Sequence, residues 1–253
     1  MLRARLLGAL EVELNGAVID SPTSQRPWVM FAYLALAGRP VARANLASKF
    51  WPDVLDQSAR ASLRSALWAL RRQLGESLLV DDERVGLCEE NGLWIDAAQF
   101  DRLAQDSPEQ ALELCRGELL EGIEEDWALS ARDRHRERVI DLLERLAQDA
   151  ARRNATREAI EFTRRQVERD PFDEEAHRRL IERLDTAGDH AGALRTYQRL
   201  SERLRRELGV APSPRTRELA EQLRAQSPDQ GIARQPPAIP GQLPLVGRDR
   251  ELA

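Results

Sequence analysis

The chain opens on strict alternation. Leu2, Ala4 and Leu6, then Leu10, Val12 and Leu14, take the apolar positions, with Arg3, Arg5, Glu11 and Glu13 between them. A period of two predicts strands with one buried face. Pairing them around Gly8 lets arginines meet glutamates on the outer face. Asn15-Gly16 predicts a two-residue turn into a third strand over 17–19. Three helical periods follow. Pro27 starts a segment that carries Phe31, Leu34 and Ala35 on one face and ends at Gly38. Residues 43–50 set Leu46 and Phe50 one turn apart, with Pro52 beyond. Residues 58–75, SARASLRSALWALRRQLG, form the third helix, with Asp56 or Ser58 as candidate N-caps and Gly75 as the stop. LLVDD, RVGLCEE and, after Asn91-Gly92, LWID predict a hairpin with a further strand.

This order of sheet, three short helices and hairpin predicts an α+β winged helix-turn-helix over residues 1–96. From about Asp96 strand signals give way to helical periodicity with dense Arg/Glu pairing, predicting an all-α unit over 97–225. A repeat lies within it. RRNATREAIEFTRRQVERDP returns in outline as DTAGDHAGALRTYQRLSERL, with Ala159-Ile160 and Ala193-Leu194 34 residues apart. Asn154 aligns with Gly188 and Ala147 with Ile181. That period is the one of tetratricopeptide (TPR) helix pairs, so the second unit is expected to be TPR-like. Residues 226–253 are rich in Pro, Gly and Gln and lack periodicity, which predicts a linker.

The third helix carries four arginines and no acid. At about 100° per residue, Leu63, Ala66, Leu67, Leu70 and Leu74 share the core stripe. Ala61, Ser65, Trp68 and Arg72 lie opposite, and Arg64 flanks them. Arg60 and Arg71 sit nearer the core edge, from which long side chains still reach outward. Small residues admit a helix to the major groove, where arginine pairs with guanine or grips phosphate. As the third helix of a winged fold, this is the expected recognition helix, beginning near Ser58. Trp68 has two open readings, contact with thymine methyls and sugars or packing on a second subunit or the second unit. Arg43 and Lys49 on the second helix are candidate phosphate contacts, and Arg84 at the hairpin tip a candidate wing contact. The segment WPDVLDQS exceeds the tight turn of a minimal helix-turn-helix and suits a protein-binding loop.

Composition adjusts this picture in few places. The net charge of −5 excludes a wholly basic coat, so nucleic-acid binding must be local. Lys49 is the only lysine; every other basic residue is arginine. Cys88 and Cys115 form no C-x-x-C pair and lack metal-ligand spacing to a histidine, so no metal site is expected. His135, His177 and His190 all lie in the helical half, without a partnered nucleophile or glycine-rich loop, and no enzyme is expected. No apolar run approaches the ~20 residues of a membrane span, and Glu11 and Glu13 interrupt the first one. A cytoplasmic protein with no membrane partner is the expectation.

The whole resembles the OmpR-type winged helix joined to a bacterial transcriptional activator domain (BTAD), as in the SARP regulators of antibiotic biosynthesis. LLGALEVELNG is similar to the opening strands, LASKFWPD to the second helix, SARASLRSALWALRRQLG to the recognition helix and ENGLWIDAAQF to the transition between units. ALRTYQRLSERLRRELGVAPSPRTRELAEQL (193–223) resembles the end of the activator domain most closely. The resemblance implies binding of double-stranded promoter DNA at direct repeats, as a homodimer or side-by-side protomers. It also implies recruitment of RNA polymerase through its sigma factor, with Trp51, Asp53, Val54 and Asp56 as candidate contacts. Larger members continue into a P-loop NTPase domain. LPLVGRDREL (243–252) is similar to its opening, yet G-x-x-x-x-G-K-[ST] is absent, so ATP is expected only in a longer form and no cofactor in this chain. The chain thus reads as a piece of a longer regulator. The other reading is a TPR-like scaffold whose winged helix meets protein rather than DNA.

Overall fold

The protein is described by a computed structural model over residues 1–19 and 25–226. The expected linker and NTPase opening at 227–253 lie outside the described residues. The paired strands β1 (Leu2–Arg5) and β2 (Glu11–Leu14) run antiparallel, placing Arg3 opposite Glu13 and Arg5 opposite Glu11. Arg5 donates to both glutamates at 3.0 Å, so the outer face is tied by charge while Leu2, Ala4 and Val12 are buried beneath it. Asn15 and Gly16 both take positive φ, as a turn matched to strand twist demands, and lead into β3 (Ala17–Val18).

Helix α1 (Gln25–Ala37) buries Trp28, Phe31 and Leu34 and stops at Gly38, where φ is +59°. Strand β4 (Val41–Ala42), which the sequence pattern does not announce, leads into α2 (Arg43–Phe50) and then α3 (Asp56–Leu74). The cap of α3 differs from expectation. Leu55 occupies the N-cap position without a side-chain bond, so neither Asp56 nor Ser58 caps the helix. Asp56 instead lies in the first turn, where a carboxylate meets the positive end of the helix dipole.

Strands β5 (Leu78–Val80) and β6 (Arg84–Leu87) form the wing hairpin, and β4 adds to its other edge. The further strand, β7 (Leu93–Ile95), leaves this hairpin and pairs parallel with β1, giving a first sheet ordered β3-β2-β1-β7. The chain therefore returns to its own beginning before the helical half starts.

Helices α4 (Asp96–Asp106), α5 (Pro108–Leu114), α6 (Asp126–Arg152), α7 (Thr156–Arg169), α8 (Glu174–Thr186), α9 (His190–Arg203) and α10 (Pro214–Gln226) complete the described chain. The repeat is visible in space. α7 and α9 begin 34 residues apart, Ala159 and Ala193 are both buried, and Asn154 and Gly188 both take positive φ before their helices.

One apolar core runs from Leu2 to Leu146, passing through Ile95, Ala97 and Phe100 at the junction of the two halves. Three devices hold that junction. The buried Asp96 carboxylate accepts from Leu6 N–H (2.7 Å), Leu7 N–H (3.0 Å) and Ala97 N–H (2.7 Å). Burial raises its pKa against the pull of those donors. Leu120 N–H and Glu121 N–H donate to the carbonyls of Leu6 and Gly8 at 2.7 and 3.0 Å. Arg132 of α6 reaches the same loop, donating to the carbonyls of Leu119, Leu120 and Ile123 at 2.8–2.9 Å.

Candidate nucleic-acid interface

Helix α3 divides as its sequence prescribes. Ala59, Leu63, Ala66, Leu67, Leu70 and Leu74 are buried. Ser58, Arg60, Ala61, Arg64, Ser65, Trp68, Arg71 and Arg72 are exposed on the other side. Ser65 donates its hydroxyl to the Ala61 carbonyl at 3.3 Å, which keeps that turn of the surface low. Among the described residues none of the four arginines meets a carboxylate. Arg72 instead places its guanidinium 5.8 Å from the Trp68 ring centroid, one turn back, in a cation–π contact.

That contact narrows the reading of Trp68. The indole is 66% exposed and carries Arg72, so it does not pack on the helical half of its own chain. It stiffens an arginine that otherwise samples many rotamers.

The other candidates divide between two places. Arg84 lies exposed at the wing tip, where the Asp81 carboxylate accepts from the Glu83 and Arg84 N–H groups at 2.7 and 2.6 Å. These bonds hold the Asp81 pKa below its ordinary value. Arg43 belongs to the same corner, its guanidinium donating to the Asp81 carbonyl at 2.9 Å and its N–H to the Glu83 carbonyl at 2.8 Å. It braces the wing against α2.

Lys49 is elsewhere. Its ammonium sits 5.2 Å from the Tyr33 ring, at a seam where α1 and α2 meet the first turn of α6. Tyr33 and Phe50 pack edge-on against Trp127 there, with centroids 5.1 and 6.4 Å away. The α2–α3 loop borders the same hollow. Trp51 is half-buried against Phe50 and under Arg26, whereas Asp53, Val54 and Asp56 are exposed, and Leu55 is 83% exposed. Glu124, Glu125 and Asp126 line the far wall of a cavity of about 470 Å³. Sequence reasoning placed Leu55 in the protein-binding loop but did not join these acids or Trp127 to it. Nothing near residue 51 points to position 127; the apolar Trp127 amid acids was the one local signal.

Cys115 and His135 approach each other, Sγ to Nε2 at 3.9 Å. Burial pushes the thiol up to about 11 and the imidazole down to about 4, so both are neutral near pH 7. A neutral thiol is a poor nucleophile, and the pair serves packing, with His135 edge-on to Phe100. Among the described residues no cluster of three His, Cys, Asp or Glu suits a metal ion, and no helix is long and apolar enough to cross a membrane.

A family model described as "Bacterial transcriptional activator domain" matches residues 95–224. Regulatory protein AfsR of Streptomyces coelicolor is 26% identical over 241 residues, covering 88% of this chain and 24% of that protein, so the chain spans about a quarter of that relative's length. A solved structure titled "Mycobacterium tuberculosis EmbR in complex with low affinity phosphopeptide" is similar with a TM-score of 0.64 and 22% identity, over 90% of this chain and 66% of that one. At that identity the likeness concerns the fold: a strand-containing N-terminal region followed by helices.

Proposed function

The chain belongs to the bacterial transcriptional activator domain family, in the SARP-type arrangement, and from that premise we propose that it activates transcription by binding promoter DNA through α3. The observation that carries this is the exposed face of α3: four arginines without carboxylate partners, small residues at 61 and 65, and a leucine stripe buried behind. Arg64 and Arg72 read base edges, while Arg60 and Arg71 grip phosphate. Arg84 and Arg43 approach the backbone at the wing. Ser58, Ala61, Ser65 and Trp68 complete the contact surface. Protomers sit side by side on direct repeats.

RNA polymerase, through its sigma factor, meets the seam where Trp51, Asp53, Val54 and Asp56 project. Lys49 stands with that seam rather than with α3, so we move it from the DNA contacts to this surface. The target genes we place in a secondary-metabolite cluster, on the resemblance alone. The chain works by binding and needs neither catalysis nor a cofactor of its own; ATP belongs to a longer form that carries an NTPase domain. Its place of action is the cytoplasm.

The test is a footprint and salt titration on the promoter region of its own gene cluster. Log K falls steeply with log[salt], and losing one phosphate contact lowers the slope by about one. Salt-insensitive binding, or equal affinity for any duplex, would return the chain to the scaffold reading.

A further inference from the structure

The helical half carries a second open site. A groove of about 700 Å³ lies between α7 and α9, floored by α8. Its walls present Arg164 from α7 and Arg195, Arg199, Arg203 and Arg206 from α9 and the π-helical turn that continues it over Leu204–Leu208. Arg164 and Arg199 are exposed and meet no carboxylate among the described residues. Arg195 and Arg203 stand 3.8 Å from Asp189 and Glu207, at the long limit of an ion pair, while Arg206 bonds Glu207 at 2.6 Å. Asp189 is already engaged, accepting from Gly192 N–H to cap α9. The floor is apolar, with Val167, Leu180 and Leu184. His177 lines it too, at 4% exposure. Its Nδ1–H donates to the Asp173 carbonyl at 2.9 Å, which leaves Nε2 as an acceptor without a partner among the described residues.

We propose that this groove docks an extended acidic segment of a partner protein, about five residues long, with carboxylates on the arginine walls and one apolar side chain on the floor. The length follows from geometry. Arg195 to Arg206 spans about 16 Å of helix, which an extended peptide covers in about five residues. The class follows from the lining. Glu168 and Glu202 stand among the arginines and oppose a continuous phosphate backbone, and an apolar floor with a lone acceptor suits a side chain and a peptide N–H. Carboxylate pairing with arginine supplies the charge-assisted bonds. The site is separate from α3, so its success or failure is read independently of DNA binding.

The experiment uses the full chain and a fluorescein-labelled peptide containing Asp-Glu-Leu-Asp-Glu, with a Gly-Ser peptide as reference and polarisation as readout. The acidic peptide should bind as a 1:1 complex, weakening roughly tenfold as salt rises well above 0.1 M. Arg164→Glu with Arg199→Glu should weaken it by at least about tenfold and leave the melting temperature and promoter binding unchanged, while Arg199→Lys keeps most of the affinity. Arg72→Ala should leave peptide binding intact. Four outcomes overturn the proposal. The acidic peptide binds no better than Gly-Ser; its binding survives the double reversal or falls with Arg72→Ala; promoter DNA displaces it and loses affinity in the same double variant; or the reversal dissolves a dimer of the chain that does not take up the peptide.

Discussion

Arginine does opposite work on α3 and at the enclosed positions of α6 and α8. On α3 it stands in solvent, meeting no carboxylate among the described residues, with two serines, an alanine and a tryptophan on the same exposed face. At position 132 of α6 and at 178, 179 and 183 of α8 it is enclosed. Arg132 bonds three backbone carbonyls with its side chain only 13% exposed. Arg179 and Arg183 share the Glu144 carboxylate, and Arg178 reaches Thr216 of α10. The lesson concerns cost. An enclosed arginine leaves buried acceptors unsatisfied when removed, whereas an open one gives up little folding energy and is free to spend its hydrogen bonds on a ligand.

The sharpest way to break this contrast is at Arg132. Arg132→Met should cost roughly 2–4 kcal/mol in urea unfolding, because three carbonyls at the junction lose their donor together. A loss below about 0.5 kcal/mol would mean that the shared core, Asp96 and the backbone bonds of Leu120 and Glu121 hold the halves together without Arg132.

Acid probes the same enclosed region. The His135 ring is buried and held neutral, its pKa depressed from 6.5 to about 4, while the unfolded chain takes up a proton below 6.5. The stability from the neutral ring is complete above pH 6.5 and is lost as pH falls toward 4, by roughly 3 kcal/mol in total. Replacing His135 with Leu should flatten that slope in urea midpoints measured across the range. An unchanged slope would assign acid sensitivity to other groups, among them His177, whose pKa burial also lowers.

The open side is tested next. Arg64→Ala and Arg72→Ala should each lower promoter affinity by about 1–3 kcal/mol while the unfolding midpoint stays in place. If both variants bind DNA as the parent does, α3 does not read bases. Smallest is Trp68→Ala, expected to change unfolding by less than about 0.5 kcal/mol. Its affinity loss should be smaller than that of Arg72→Ala and should shrink further in the Arg72→Ala background, since the indole acts partly through that guanidinium. Independent, additive losses would show that the ring contacts DNA directly.

Much of this was legible in the residues. Local rules suffice for the charge-paired strands, the Asn15-Gly16 turn, the leucine stripe of α3 and the 34-residue spacing of α7 and α9, because each depends on neighbours a few positions away. The cap of α3 was misread since Asp56 and Ser58 are good cap residues by type, and cap geometry is settled by how the preceding loop arrives. The β7 strand follows the hairpin in order and was grouped with it, although its partner is β1, about ninety residues earlier. Lys49 and Arg43 share a helix and a charge, yet tertiary packing sends one to the seam and the other to the wing.

By itself, then, the order of residues determined the strands other than β4, the three helices of the first unit, the buried and open faces of α3 and the repeat, all consequences of short-range periodicity and turn chemistry. Only the tertiary structure decided how the halves join. The parallel return of β7 to β1, the Leu6 and Leu7 N–H groups on Asp96 and the bonds of Leu120 and Glu121 to Leu6 and Gly8 pair groups far apart in the chain. So does the α7–α9 groove, whose arginines are ordinary surface charges until α8 sets them face to face. Such pairings carry no local signature, because their energy appears only once loop closure has brought distant segments together.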